Sequence, residues 1–172
     1  MTALEHSHPE PDWVYHHPHE PNLAIPAGDG AFRVRLPDGT ERQLTVAVLQ
    51  QMPATTVDEC YIVSTGHGVS GPFRFTGVAL RDFLHRVLPQ HLAWRHVDVV
   101  SADGFGTRLL PGDLADPPGG RAPLLAYALD GAPLTRAQGL VRLIVPAEVD
   151  DALRQVKWVD VIHVTGTEDA PA

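Results

Sequence analysis

A single cysteine, Cys60, stands in this chain of 172 residues. An internal disulfide is therefore excluded, and stability must come from an apolar core. Basic residues are also scarce: 13 Lys and Arg against 21 Asp and Glu give a formal net charge of −8. Nucleic-acid binding draws its affinity from clustered cations that displace counterions, so that class of partner is set aside. No stretch approaches the ~20 consecutive apolar residues of a membrane span. The first residues have neither the basic nor the apolar region of a secretory signal, so a cytoplasmic location is expected. The glycines of Gly66-His67-Gly68-Val69-Ser70-Gly71 fit neither a dinucleotide fingerprint nor a phosphate-binding loop.

What is present suits one globular domain: 44% hydrophobic and 20% charged residues support a core without implying disorder. Residues 1–30 are crowded with Pro, His and acid and show no periodicity, so they are expected to form an irregular arm. A domain over 31–165 and a short tail over 166–172 follow. Ala31 to Leu36 alternates in strand fashion, and Pro37-Asp38-Gly39-Thr40 turns the chain back through Glu41 to Leu44, which predicts a hairpin. Thr45 can cap a helix from Val46 to Met52, ended by Pro53. A strand from Thr55 to Val63 carries Cys60, and a long Gly-rich loop is expected after it. The apolar spacing of Val78, Phe83, Leu84, Val87 and Leu88 predicts a helix over Ala79 to Val87. Further strands are expected at His96 to Ser101, Leu124 to Leu129, Leu140 to Val145 and Trp158 to Val164. Strands outnumber helices without regular alternation, so the expected class is α+β with a mixed, mainly antiparallel sheet and few short helices.

Four patterns occur in order between Ala31 and Val164. Cys60 is followed by Phe75-Thr76-Gly77-Val78-Ala79-Leu80, and the strand from Val97 leads into Asp103-Gly104-Phe105. Leu124 to Leu134 reads Leu-Leu-Ala-Tyr-Ala-Leu-Asp-Gly-Ala-Pro-Leu. Arg142-Leu143-Ile144-Val145-Pro146 is followed by Val156-Lys157-Trp158-Val159. In this order they resemble the molybdopterin-binding domain of the sulfite oxidase superfamily, which includes the bacterial methionine sulfoxide reductase catalytic subunit.

The resemblance implies a sulfite-oxidase-type domain with a molybdenum-molybdopterin cofactor and oxygen-atom transfer at a small oxyanion or sulfoxide. It makes Cys60 the catalytic metal ligand, and a soft thiolate suits such a thiophilic redox metal. By the same matches Ser101, Gln138, Arg142, Gln155, Val156 and Lys157 become cofactor-binding positions, with Gln155 to Lys157 at the phosphate. Arg74, Arg108 and His67 are candidates for the substrate side. The chain carries no haem or flavin motif, so an external electron-transfer partner is expected beside the small-molecule substrate. Tyr61-Ile62-Val63 stands where the family usually has a Trp, and Asp150-Asp151 approaches the phosphate positions.

Each signal has a plainer alternative. A cysteine on an apolar strand is ordinarily a small core residue, and Arg142 and Lys157 could be solvated charges at strand ends. A second function follows from that: a binding or structural module that keeps the fold without the cofactor. A third rests on His6, His8, His16, His17 and His19, whose imidazoles could bind a divalent metal through the arm.

Overall fold

A computed structural model of the chain describes residues 10–15, 24–64, 68–90, 92–148 and 154–167. The first hairpin pairs Phe32–Arg35 (β1) with Glu41–Leu44 (β2) in antiparallel register. Its turn is built by Asp38, whose Oδ1 accepts from Thr40 N at 2.8 Å, and by Gly39 at φ 86. Helix Val46–Gln50 (α1) starts at Thr45, whose hydroxyl accepts from Val48 N at 3.4 Å and so satisfies an otherwise orphaned amide.

Thr55–Ser64 (β3) runs into a segment that differs from expectation. From Gly68 onward the Gly-rich stretch is not a loop: Gly68–Ala79 (β4) is a long strand pairing antiparallel with β3. Two register shifts absorb the residues that disguised it. Gly71 and Pro72 oppose Tyr61, and Asp58 and Glu59 oppose Arg74, with Glu59 at φ 52. Such bulges tolerate a glycine and a proline, while Phe73, Phe75 and Thr76 supply the strand preference. Gly77 is needed where β4 meets the next strand, because a Cβ there would overlap the Leu125 carbonyl.

Helix Leu80–Val87 (α2) buries Leu80, Phe83, Leu84 and Val87, the expected apolar face. Trp94–Ser101 (β5) pairs with Gly106–Leu109 (β6), a short strand that the sequence reading missed, followed by the short helix Pro111–Ala115 (α3). Leu124–Leu129 (β7), Ala132–Pro133 (β8), Arg142–Ile144 (β9) and Val159–Gly166 (β10) complete the described elements.

The strands form two sheets where one was expected: β2-β1-β10-β5-β6 and β3-β4-β7-β8, with β9 also on β7. Only the β1–β10 pair among them is parallel, so the molecule is α+β and mainly antiparallel, as the sequence implies. The side-chain period of two then divides the second sheet between two cores. On β7, Leu125 joins the main core with Phe32, Phe83, Val97 and Ile162, while Leu124 and Ala126 join a smaller cluster with Cys60, Phe75, Leu134 and Ile144. This smaller cluster lies on the sheet face turned away from the main core.

Within the described parts of the arm, residues 10–15 and 24–30, the regular structure is one 3₁₀ turn, Asp12–Tyr15, which packs on β6. Arg108 anchors it by donating to both carboxylate oxygens of Glu10 at 3.2 Å, while its Nε and Nη2 hold Asp98 at 2.7 and 2.9 Å. The histidines His6, His8, His16, His17 and His19, and the tail from residue 168, lie outside the described residues. Among the described residues no helix is long and apolar enough to cross a membrane.

Candidate functional site

Cys60 sits at the β3 bulge with 2% of its surface exposed, packed with Phe75, Leu124, Ala126 and Ile144. Among the described residues one cation reaches it. Arg121 donates from Nη2 to the Asp58 carbonyl at 2.6 Å and to the Glu59 carbonyl at 3.3 Å, and the same nitrogen lies 3.6 Å from Cys60 Sγ. Positive φ at Glu59 turns these carbonyls toward the guanidinium side of the strand. Burial pushes the Cys60 thiol pKa up, and the Arg121 charge pulls against that rise by favouring the thiolate. The sequence offers no signal for Arg121, which follows Pro117-Pro118-Gly119-Gly120 in an irregular segment with no periodicity to reveal which way it points.

Arg142 occupies the same sheet face. It alternates on β9 with Leu143, which lies in the main core, and shares its side with Ile144. Its guanidinium lies 5.4 Å above the Phe75 ring, so Phe75 is the common neighbour of Arg142 and Cys60. Arg142 is 7% exposed, its Nε has no hydrogen-bond partner, and it forms no ion pair among the described residues. Burial alone pulls its pKa down to about 10. Lys157 stands beside it, its own pKa lowered by burial and by the Arg142 charge. Gly139 at φ 112 separates the two stems, since a Cβ there would lie 2.8 Å from Arg142 Cγ and 3.1 Å from Lys157 Cβ. The result is a buried guanidinium beside an exposed ammonium, with no ion pair to either among the described residues.

The remaining positions named from sequence are placed more loosely. Gln138 lies in the adjoining turn, where its Oε1 accepts from Thr135 N at 2.9 Å. Gln155 clasps Val145, accepting from its N–H and donating to its carbonyl, both at 3.1 Å. The Val156 amide donates to Leu143 O at 3.1 Å, and its side chain is in the main core. Ser101 belongs to the other sheet, and its hydroxyl accepts from Asp103 N at 3.2 Å in the turn after β5. The structure thus gathers Gln138, Arg142 and Lys157 around Gly139, and sets Cys60 across Phe75 from them. Gln155, Val156 and Ser101 are engaged in backbone scaffolding.

Of the substrate-side candidates, Arg108 is committed to Asp98 and Glu10, and Arg74 pairs on the surface with Asp58 at 3.2 Å. His67 and the pair Asp150-Asp151 lie outside the described residues. Neither of two cavities outlined by described residues includes Cys60. The larger, about 170 Å³, adjoins it through Arg121.

A strand-borne cysteine and a buried guanidinium on one sheet face define a class that the comparisons then specify. The model of the oxidoreductase molybdopterin binding domain matches residues 22–171, and the chain belongs to that family. Among solved structures it is similar to the sulfane dehydrogenase SoxCD from Paracoccus pantotrophus, with a TM-score of 0.61 and 19% identity. That match covers 85% of this chain and 41% of the other, so this chain spans less than half of it. At this identity the likeness is one of fold. No curated protein matches the chain.

Proposed function

We propose that this domain holds a molybdenum-molybdopterin cofactor and serves as an oxidoreductase for oxygen-atom transfer at a small oxyanion or sulfoxide. The observation that carries the reading is Arg142, a buried guanidinium without a counter-charge on the sheet face that also bears Cys60. An uncompensated buried ion costs several kcal/mol, so a fold that keeps one is suited to a resident anion. The residues fit the group on chemical grounds. Arg142 offers a fork and Lys157 a point charge, the donors a pterin phosphate takes, and Gly139 leaves room between their stems. Cys60 offers a soft donor, and Arg121 favours its deprotonated form.

When bound, the cofactor supplies two-electron oxidation and reduction coupled to oxygen-atom transfer. The chain's own part is positional. Cys60 would ligate the metal, Arg142 and Lys157 would fix the phosphate end, and Gln138 would offer an amide beside them. Gln155 and Val156 hold β9 in register through Val145 and Leu143, and so keep Arg142 on its face. Ser101 shapes the turn after β5. Electrons would pass to or from an external partner.

A second reading, the fold without the cofactor, is favoured by one observation: the Cys60 sulfur is covered by its apolar neighbours and Arg121. Expression in a host competent for cofactor synthesis separates the two. The oxidoreductase reading expects molybdenum and the fluorescence of oxidised pterin in purified protein, with oxygen-atom transfer abolished in Cys60→Ala. Protein free of both, from cells that load a control molybdoenzyme, would establish the second reading instead.

A further inference from the structure

The cavity beside Arg121 has a composition that the proposed cofactor site does not use. Pro117, Pro118, Pro123, Val145 and Ala147 form an apolar wall. Arg121 and Arg154 face that wall, with Asp113 and Glu148 also at the lining.

The acids are committed. Asp113 Oδ2 accepts from Leu110 N at 2.7 Å and pairs with Arg154 Nη2 at 3.0 Å. Both Glu148 carboxylate oxygens accept from the Arg154 backbone N–H, at 3.0 and 3.3 Å. The guanidiniums are not fully committed. Arg154 Nε is buried without a hydrogen-bond partner, and Arg121 donates to the Asp58 and Glu59 carbonyls through Nη2 alone. Two incompletely paired arginines therefore line one space with an apolar wall, in about 170 Å³.

We propose that this cavity binds a small organic monocarboxylate, its carboxylate on Arg121 and Arg154 and its apolar body against the three prolines. A guanidinium matches a carboxylate with two parallel donors. The apolar wall selects against an inorganic oxyanion, which has no surface to bury there, and favours a short hydrocarbon chain. The formal charges of the two arginines and two acids cancel, so a dianion meets the repulsion of Asp113 and Glu148 without a surplus of cations to offset it. Because Arg121 Nη2 lies 3.6 Å from Cys60 Sγ, an occupant of this cavity would share its anchoring side chain with the candidate metal ligand. The binding site stands independently of whether a cofactor is loaded.

Butyrate is a suitable probe and sulfate the control, titrated into the full chain by calorimetry and by NMR of the Val145 and Ala147 methyls. Butyrate should bind in the millimolar range, shift those methyls, and weaken roughly 10- to 100-fold in Arg121→Gln, the loss of a charged hydrogen-bond pair. Ala147→Phe, which fills the wall and leaves both arginines, should weaken it comparably and keeps the test decisive if Arg121→Gln does not fold. Sulfate should bind more weakly than butyrate. Absence of butyrate binding, equal binding in Ala147→Phe, or tighter binding of sulfate would overturn the proposal.

Discussion

At the scale of single residues, Arg142 sets the clearest conflict between stability and function. Its guanidinium is buried above Phe75 with an orphaned Nε, so replacing it with an apolar chain of similar length removes a desolvation penalty. Arg142→Met is expected to stabilise the cofactor-free domain by about 1–3 kcal/mol, measured by urea unfolding. The same variant should lose retained pterin. Destabilisation by Arg142→Met would mean that the charge is satisfied in a way the described residues do not reveal. His96 gives a pH test. It is 8% exposed, and its pKa is lowered, first by burial and then by the Arg108 charge. Between its folded pKa and the ordinary value near 6.5 the unfolded chain binds the extra proton, so stability rises with pH there and falls on acidification. The melting temperature should therefore drop between about pH 7.5 and 5.5, and drop less in His96→Asn. Equal drops in both proteins would assign the acid sensitivity elsewhere.

Elements decide whether those residues meet. The site face depends on β4 and β7 approaching closely at Gly77, where any Cβ would overlap the Leu125 carbonyl. Gly77→Ala is expected to cost at least about 3 kcal/mol or prevent folding, since the strands must separate and the cluster around Cys60 loses its packing. A stability within about 0.5 kcal/mol of wild type by urea unfolding would show that the strands can part without penalty. This region also marks the limit of what sequence conveys. The β1–β2 hairpin, α1, α2 and β7 are legible because their side-chain period and turn residues agree. In sequence β4 resembles a loop because Gly71 and Pro72 imitate one, and only the pairing with β3 reveals them as a bulge. β6 is short, with Gly106 at its start, too little for an alternating pattern to register. The neighbours of Cys60 were hidden for another reason. Arg121 is distant in sequence and held in place by carbonyls that a bulge exposes, a tertiary fact with no local trace.

At the scale of the whole molecule, two sheets around one main core leave a second apolar patch on the far face of the β3-β4-β7 sheet. Cys60, Arg121 and Arg142 all border that patch, where the proposed cofactor would lie. In the proposed function the Cys60 thiolate ligates molybdenum while Arg142 and Lys157 hold the cofactor's anionic end. The most direct measurement is molybdenum X-ray absorption on protein from a host that makes the cofactor, comparing wild type with Cys60→Ser. The account predicts a sulfur shell that loses one ligand in the variant, with pterin still retained through Arg142 and Lys157. An unchanged sulfur shell in Cys60→Ser, or wild-type protein without molybdenum from cells that load a control molybdoenzyme, would contradict it.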